Sequence, residues 1–355
     1  MYRLRSAHPN DLVDLVELAH SAGFGFTSML PQEKHIQKRI QSSLSGDAPL
    51  FVLEDTTNHK VVGTSGIKRS VGGEHPYYSY RIETVTRHSE HLGIDNNIQT
   101  LHLTTQYNGP TEIGTLLLHP DHRHPHLGRL LSLARFLYIA QSPDQFSTNI
   151  IAEMRGLNDE QGNSPFWNAL GKHFFKIDFV AADQQCALDK QFIADLLPIF
   201  PIYIPILPPE AQAVIGRVHP DAKPAQQLLI SEGFRFINLI DIFDAGPTMQ
   251  CPTNQIRTLT ESLTVSIAEI SPVKQGQIIG NIPPEQLLRD KPITLSILSS
   301  FKENFSACLA NIILASQPNT IIIPPEAANA LDVSLGDTLR IAPLRPPQSN
   351  QLFDI

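Results

Sequence analysis

The 355-residue chain has little cysteine, a single tryptophan and a deficit of positive charge. Its three cysteines, Cys186, Cys251 and Cys308, lie far apart and form no C-x-x-C pair, so a disulfide framework is excluded and buried thiols in a reducing compartment are expected. Basic residues number 27 against 35 acidic ones, a formal net charge of -8, and no long basic block interrupts them, so no nucleic-acid partner is expected. No apolar run reaches about 18 residues, which argues against a membrane partner. The start, Tyr2-Arg3-Leu4-Arg5 followed by polar residues, lacks the apolar stretch of a signal peptide. The expectation is a cytoplasmic protein, and the acidic balance suits a cationic small substrate.

Hydrophobic residues make up 41% of the chain, enough for a large core spread over two or three domains. Strand and helix patterns alternate in the first half, which predicts a mixed α/β sheet. Strands are expected at Met1–Arg5, Leu50–Glu54, Val61–Lys68, Tyr78–Val85, Ile113–Leu118 and Ile150–Met154. Helices are expected at Leu12–Ala22, capped by Asn10 or Asp11 and ended by Gly23, at about Gln32–Leu44, and at Gly128–Gln141. Pro165–Phe175 and Pro224–Phe236 each read as a helix running into a strand, which suggests a partial internal repeat. From about residue 251 short segments rich in β-branched residues predict a small β-rich C-terminal domain, followed by a loose tail at Arg345–Asn350. The boundaries expected are 1–180, 181–250 and 251–355.

Chemistry is first visible at Ile113–Leu118, His119-Pro120-Asp121-His122-Arg123 and Gly128. Strand, polar turn and helix start follow in that order, so the turn's N–H groups and the helix N-terminus face one point, an arrangement suited to a pyrophosphate. The segment resembles the pyrophosphate loop of the GNAT acyltransferases, R-x-x-G-x-G/A. Arg123 and Gly128 match, and His126 stands where the first glycine belongs. Four histidines, His119, His122, His124 and His126, crowd the loop, but no Cys or carboxylate pair completes a metal site and none is expected.

Later segments point to one family. Ala152-Glu153-Met154-Arg155-Gly156, Asp159-Glu160, Gly162–Trp167, Pro201-Ile202-Tyr203, Glu210–His219 and Ile240–Thr248 resemble those of the arginine N-succinyltransferases, as do Phe26-Thr27-Ser28 and Tyr77–Arg81. Gly23-Phe24-Gly25 departs from three glycines, and Lys223 replaces a usual Thr. The resemblance implies a GNAT-like acyl-CoA N-acyltransferase fold, in which the partial second copy read from the repeat, 181–250, carries the catalytic His. It implies succinyl-CoA as co-substrate, with no permanently bound cofactor, and L-arginine as acceptor. The reaction it implies opens ammonia-producing arginine catabolism. It also implies association into a homo-oligomer or a paired α/β hetero-oligomer, some members accepting ornithine.

Acyl transfer to an amine needs a neutral nucleophile, support for the oxyanion and a proton for the departing thiolate. By the resemblance, His219 supplies that proton and Leu116 lies on the succinyl-CoA-binding strand, with Arg123 and Gly128 at the pyrophosphate. A guanidinium calls for a carboxylate, for which Glu153, Asp159, Glu160, Asp241 and Asp244 are candidates. The succinyl carboxylate calls for a cation, from Arg81, Arg155 or Arg217. Trp167 reads as a packing anchor. Two rival readings stay open at this point: a GNAT enzyme with another acyl donor or amine, and a non-catalytic subunit of a pair.

Overall fold

The computed structural model describes residues 1–22, 27–73, 76–105, 107–159, 161–188, 191–273, 293–302 and 304–344. Gly23, the Phe26 end of the first family segment, Glu160 and the tail from Arg345 lie outside the described residues.

The described strands are β1 (Tyr2–Ser6), β2 (Leu50–Asp55), β3 (Lys60–Lys68), β4 (Ser79–Ser89), β5 (Ile94–Thr104), β6 (Thr111–Leu118), β7 (Asn149–Glu153), β8 (Ile202–Tyr203), β9 (Arg235–Ile240), β10 (Pro247–Pro252), β11 (Leu263–Ile270), β12 (Ile293–Ser300), β13 (Ser306–Leu314), β14 (Thr320–Ile323) and β15 (Thr338–Pro343). They join one sheet in the order β12-β15-β11-β14-β13-β1-β2-β3-β6-β7-β10-β9-β4-β5-β8. The β-rich C-terminal strands are continuous with the rest, because β13 pairs antiparallel with β1 at Arg3↔Cys308. They also keep a core of their own, in which Val265, Leu298, Ile321 and Leu339 are buried together.

The helices are α1 (Leu12–His20), α2 (Glu33–Leu44), α3 (Leu127–Gln141), α4 (Pro165–Ala169), α5 (Gly171–Phe175), α6 (Phe179–Leu188), α7 (Gln191–Leu196), α8 (Pro209–Val214), α9 (Lys223–Ser231), α10 (Arg257–Glu261) and α11 (Pro325–Leu331). Leu15, Leu18 and Ala19 of α1 share a core with Ile36 and Ile40 of α2. Asp11 does not cap α1 with its side chain. It closes the turn capped by His8, accepting from the His8 N–H at 2.7 Å, and pairs with Arg5 at 2.8 Å. Helix α3 is buried on almost every side, Leu130, Leu131, Ala134, Phe136 and Leu137 included, because it lies against the sheet with α9 and α10 beside it.

The internal repeat differs from the sequence expectation. Pro165–Phe175 runs through α4 and α5 into α6, not into a strand. Trp167 is its anchor, fully buried and stacked between Phe175 and Phe243 at 5.2 and 5.4 Å. The true copies are two His-Pro-Asp turns one hundred residues apart. His119 (φ -54°, ψ 135°) and His219 (φ -54°, ψ 140°) each accept at Nδ1 from the N–H of the Asp two residues on, at 3.3 and 3.2 Å. Each turn leads into a helix and a strand: α3 and β7 in one case, α9 and β9 in the other. The copies pack together, Phe136 of α3 lying 6.0 Å from Phe234.

Candidate active site

From β14 to β6 neighbouring strands pair antiparallel, and the pairing turns parallel at β7. Only Thr111↔Ile150 and Glu112↔Ile151 pair across that junction, so the rest of β6 has no β7 partner and its backbone groups on that side are left for a ligand. On its other side β6 carries a bulge: Leu117 pairs with Thr64 and Gly114 with Gly66, which sets Thr115 and Leu116 against Ser65 alone. Thr115 is buried with φ 53°, a left-handed conformation that a β-branched residue adopts only under constraint. Beneath the bulge the buried Arg135 donates to the Gly114 carbonyl at 3.2 Å and to Ser132, with no carboxylate partner among the described residues, and burial pulls its pKa down to about 9. Leu116 thus stands in the bulge, at the strand edge that β7 leaves open.

After Leu118 the His119 turn leads to Arg123, which is exposed, and to His126, whose φ of 73° is the left-handed value that the missing glycine would take without cost. Gly128, in the first turn of α3, has nothing within 4 Å of where a Cβ would stand. The four loop histidines do not converge: among the described residues no group of three or more His, Cys, Asp or Glu is placed to hold a metal.

His219 lies beyond the end of β7, its N–H bonded to the Arg155 carbonyl at 2.9 Å. Its ring is mostly buried. Nδ1 faces its own turn, with the Asp221 N–H at 3.2 Å and the Asp221 carboxylate at 3.7 Å, so Nε2 is the atom left for a substrate. Burial, and then the positive charge of Arg155, hold its pKa below the usual histidine value, with Asp221 opposing, and the ring is neutral at neutral pH.

Two glycines and a carboxylate fix this corner. Asp244 accepts from Gly156 N at 2.7 Å and Gly246 N at 2.8 Å, tying the exit of β7 to the turn before β10. Burial and the neighbouring Asp241 push the Asp244 carboxyl well above its usual range, against those two donors. Asp241 caps the same turn, accepting from Phe243 N and Asp244 N at 2.7 and 2.9 Å.

The other expected residues fall in three places. Glu153 ends β7 on the face opposite α3, since Ile150, Ala152 and Met154 point to α3 and Ile151 and Glu153 alternate with them. It accepts from Tyr77 Oη at 2.6 Å, and Thr248 lies 3.3 Å from that hydroxyl. Burial and Glu153 hold the phenol protonated, far above the usual tyrosine pKa. Arg81 is exposed on β4, whose neighbour β9 is separated from β7 by β10. Asp159 lines a cavity of about 480 Å³ with Asn158, Asn163 and Glu210, and its carboxylate is taken up by Asn163 and Gln161 of its own loop. Arg155 reaches toward that cavity through Asn158, at 2.9 Å. The structure therefore joins Arg155, His219, Asp241 and Asp244 at one corner, and sets Leu116 and Glu153 beside it on the diverging strands. Tyr77 escaped sequence reasoning although it lies in a family segment, because a tyrosine reads as core until a carboxylate is seen at its hydroxyl.

A bulged strand diverging from a parallel neighbour, with a strand–turn–helix loop at its end and a partly buried histidine across the gap, defines a GNAT-like acyl-CoA N-acyltransferase. The chain belongs to the arginine N-succinyltransferase family: the family described as arginine N-succinyltransferase beta subunit matches residues 2–258. Arginine N-succinyltransferase of Yersinia pestis (strain Pestoides F) is 37% identical over 362 residues, covering 99% of this chain and 100% of that protein. Arginine N-succinyltransferase subunit beta of Pseudomonas aeruginosa is 39% identical over 344 residues, 94% of this chain and 96% of that one. The solved structure of arginine/ornithine succinyltransferase subunit AI from Pseudomonas aeruginosa superposes with a TM-score of 0.85 at 29% identity, covering 98% of this chain and 99% of that chain. No described helix is long and apolar enough to cross a membrane.

Proposed function

We propose that the protein transfers the succinyl group of succinyl-CoA to the α-amino group of L-arginine, giving N2-succinyl-L-arginine and CoA. The observation that carries this reading is the placement of His219 on the Arg155 carbonyl, across from the β6 edge that β7 leaves unpaired. The pantetheine arm lies along that edge at Leu116, and the pyrophosphate sits at Arg123, Gly128 and the start of α3. The arginine nitrogen attacks the thioester carbon, and the bond to sulfur breaks as the tetrahedral oxyanion collapses. His219, whose Nδ1 accepts from the Asp221 N–H, carries its proton on Nε2; it gives that proton to the departing CoA thiolate and takes up in its place the proton that the amine nitrogen loses, so the ring ends neutral as it began. Glu153, fixed by Tyr77, is the carboxylate we assign to the substrate guanidinium in preference to Asp159 and Asp241, which spend their oxygens on their own turns.

The wording of relatives named as subunits supports association of this chain with copies or a paired chain, and the three-part division 1–180, 181–250 and 251–355 goes with the reading as part of the proposal. So do a cytoplasmic location and a role in arginine catabolism. The test is release of free CoA thiol with succinyl-CoA and L-arginine, set beside ornithine, lysine and acetyl-CoA, and repeated with His219→Ala. Turnover selective for succinyl-CoA and arginine, lost by orders of magnitude in the variant, is the expected result. Folded protein that turns over neither amino acid with succinyl-CoA sinks it.

A further inference from the structure

We infer that Arg39 recognises the free carboxylate of the acyl group and thereby selects a succinyl over an acetyl donor. The inference rests on the succinyl-CoA reading above and adds the residue that enforces it.

Helix α2 buries Ile36 and Ile40 against α1, which turns Arg39 on its flank toward the sheet. Arg39 Nη2 lies 3.3 Å from where a Cβ on Gly66 would stand, and Thr115 Oγ1 lies 3.2 Å from the same point. The guanidinium therefore sits over β3 and β6 at the bulge, where the acyl end of a thioester laid along β6 arrives. It shares that face of the sheet with Glu112, because Gly66↔Gly114 and Lys68↔Glu112 alternate with the α3-facing pair Ile67↔Ile113.

Arg39 is half-buried, and burial lowers its pKa, with Glu112 opposing. Yet its guanidinium makes no hydrogen bond or ion pair with any described residue. Arg5 is matched by Asp11 and Glu54 and Arg257 by Glu232 and Glu261, and even Arg135, without a carboxylate among the described residues, bonds the Gly114 carbonyl and Ser132. A desolvated cation left without a counter-ion is costly unless a ligand completes it, and a carboxylate fits its fork. One turn earlier on α2, the buried Nε2 of His35 also lacks a hydrogen-bond partner among the described residues. Gly66 keeps the space between Arg39 and Thr115 clear. The arginines suggested by sequence suit the task less well. Arg81 and Arg217 are exposed, and Arg155 already bonds Asn158 among Asp244, Asp221 and Asp183.

A carboxylate at this point has two sources, the succinyl end and the α-carboxylate of L-arginine, and the location at the bulge of β6 favours the first. Steady-state kinetics of wild type, Arg39→Met and Arg39→Lys with succinyl-CoA and acetyl-CoA, at varied L-arginine, separate them. Arg39→Met is expected to lower kcat/KM for succinyl-CoA on the order of a hundredfold and to leave the rate with acetyl-CoA unchanged or raised. Arg39→Lys, which keeps the charge and loses the fork, is expected to fall between and serves if the Met variant does not fold. An unchanged ratio between the donors overturns the inference, whether both rates fall together or the KM for L-arginine alone rises, the latter marking an acceptor site. Wild-type protein with no turnover of succinyl-CoA overturns the underlying reading instead, a result visible before any variant is made.

Discussion

Adding one methyl group at Gly246 tests whether the corner that carries His219 is as tightly built as the structure has it. An alanine Cβ there would stand 2.0 Å from the Met154 carbonyl oxygen, 2.7 Å from Gly156 N and 2.9 Å from Asp244 Oδ1. Two of these neighbours are backbone, so no rotamer relieves the contact, and the chain between Met154 and Gly156 must move by about 1.4 Å to restore an ordinary van der Waals distance. That segment includes the Arg155 carbonyl that holds the His219 N–H. Overpacking of this kind costs about 1–3 kcal/mol of stability. If His219 transfers the proton as proposed, a displacement of about 1 Å there costs on the order of a hundredfold in rate, about 2.7 kcal/mol in the barrier. Urea denaturation and kcat/KM of Gly246→Ala, measured beside Gly73→Ala, give both quantities. Gly73 has nothing within 4 Å of its Cβ position, so its variant is expected to stay near wild type. A Gly246→Ala enzyme with wild-type kcat/KM and an unchanged denaturation midpoint refutes the argument.

Three other outcomes are expected. Because the Arg155 charge helps depress the His219 pKa, Arg155→Met lets that pKa rise, so the acid limb of the pH profile of kcat/KM moves to higher pH; a limb that stays put in an active variant shows that another group titrates there. Burial alone would raise the Glu54 pKa, but hydrogen bonds from Arg3, His59 and Arg5 overcome it and bring it to about 2 from 4.5. The carboxylate therefore contributes stability, about 3 kcal/mol, that is full above about pH 4.5 and lost as pH falls toward 2; acid titration of Glu54→Gln should show a less stable protein whose stability changes little across that window. The fully buried Glu232 bonds Arg257 and the Thr258 N–H, joining α9 to α10, so Glu232→Gln is expected to cost about 3–5 kcal/mol in thermal unfolding, with KM for both substrates unchanged in the folded enzyme.

What could be read from the chain beforehand followed local rules. The first-half strands, α3 and the C-terminal strands declare themselves because one face is apolar and the ends are punctuated by Gly, Pro and Asn. Strand β5 does not: Ile94–Ile98 projects on a hairpin exposed on both faces, so its side chains carry no alternation. Glycine at 126 was expected from the loop pattern, and the positive φ of His126 confirms that the backbone makes that demand. Arg39 was invisible for a different reason. A cation on the flank of an amphipathic helix is ordinarily solvated, and only the packing of α2 over Gly66 desolvates this one.

The two His-Pro-Asp turns show where local reading stops. His119 and His219 have the same backbone angles and the same cap, and each has an aspartate carboxylate within 3.8 Å of Nδ1. Nothing within either turn marks one histidine for proton transfer. The difference lies in what each backbone N–H is bonded to. His119 hangs from the Val62 carbonyl on β3 at 2.8 Å, so it continues the sheet beside the loop that leads into α3, and its side chain is 31% exposed. His219 hangs from the Arg155 carbonyl at the exit of β7, beside a fixed positive charge, and its side chain is 16% exposed. The same capping turn thus differs through the strand it is attached to: the surroundings, not the motif, give His219 its depressed pKa and leave Nε2 facing away from its own turn, the two features on which its proposed role rests.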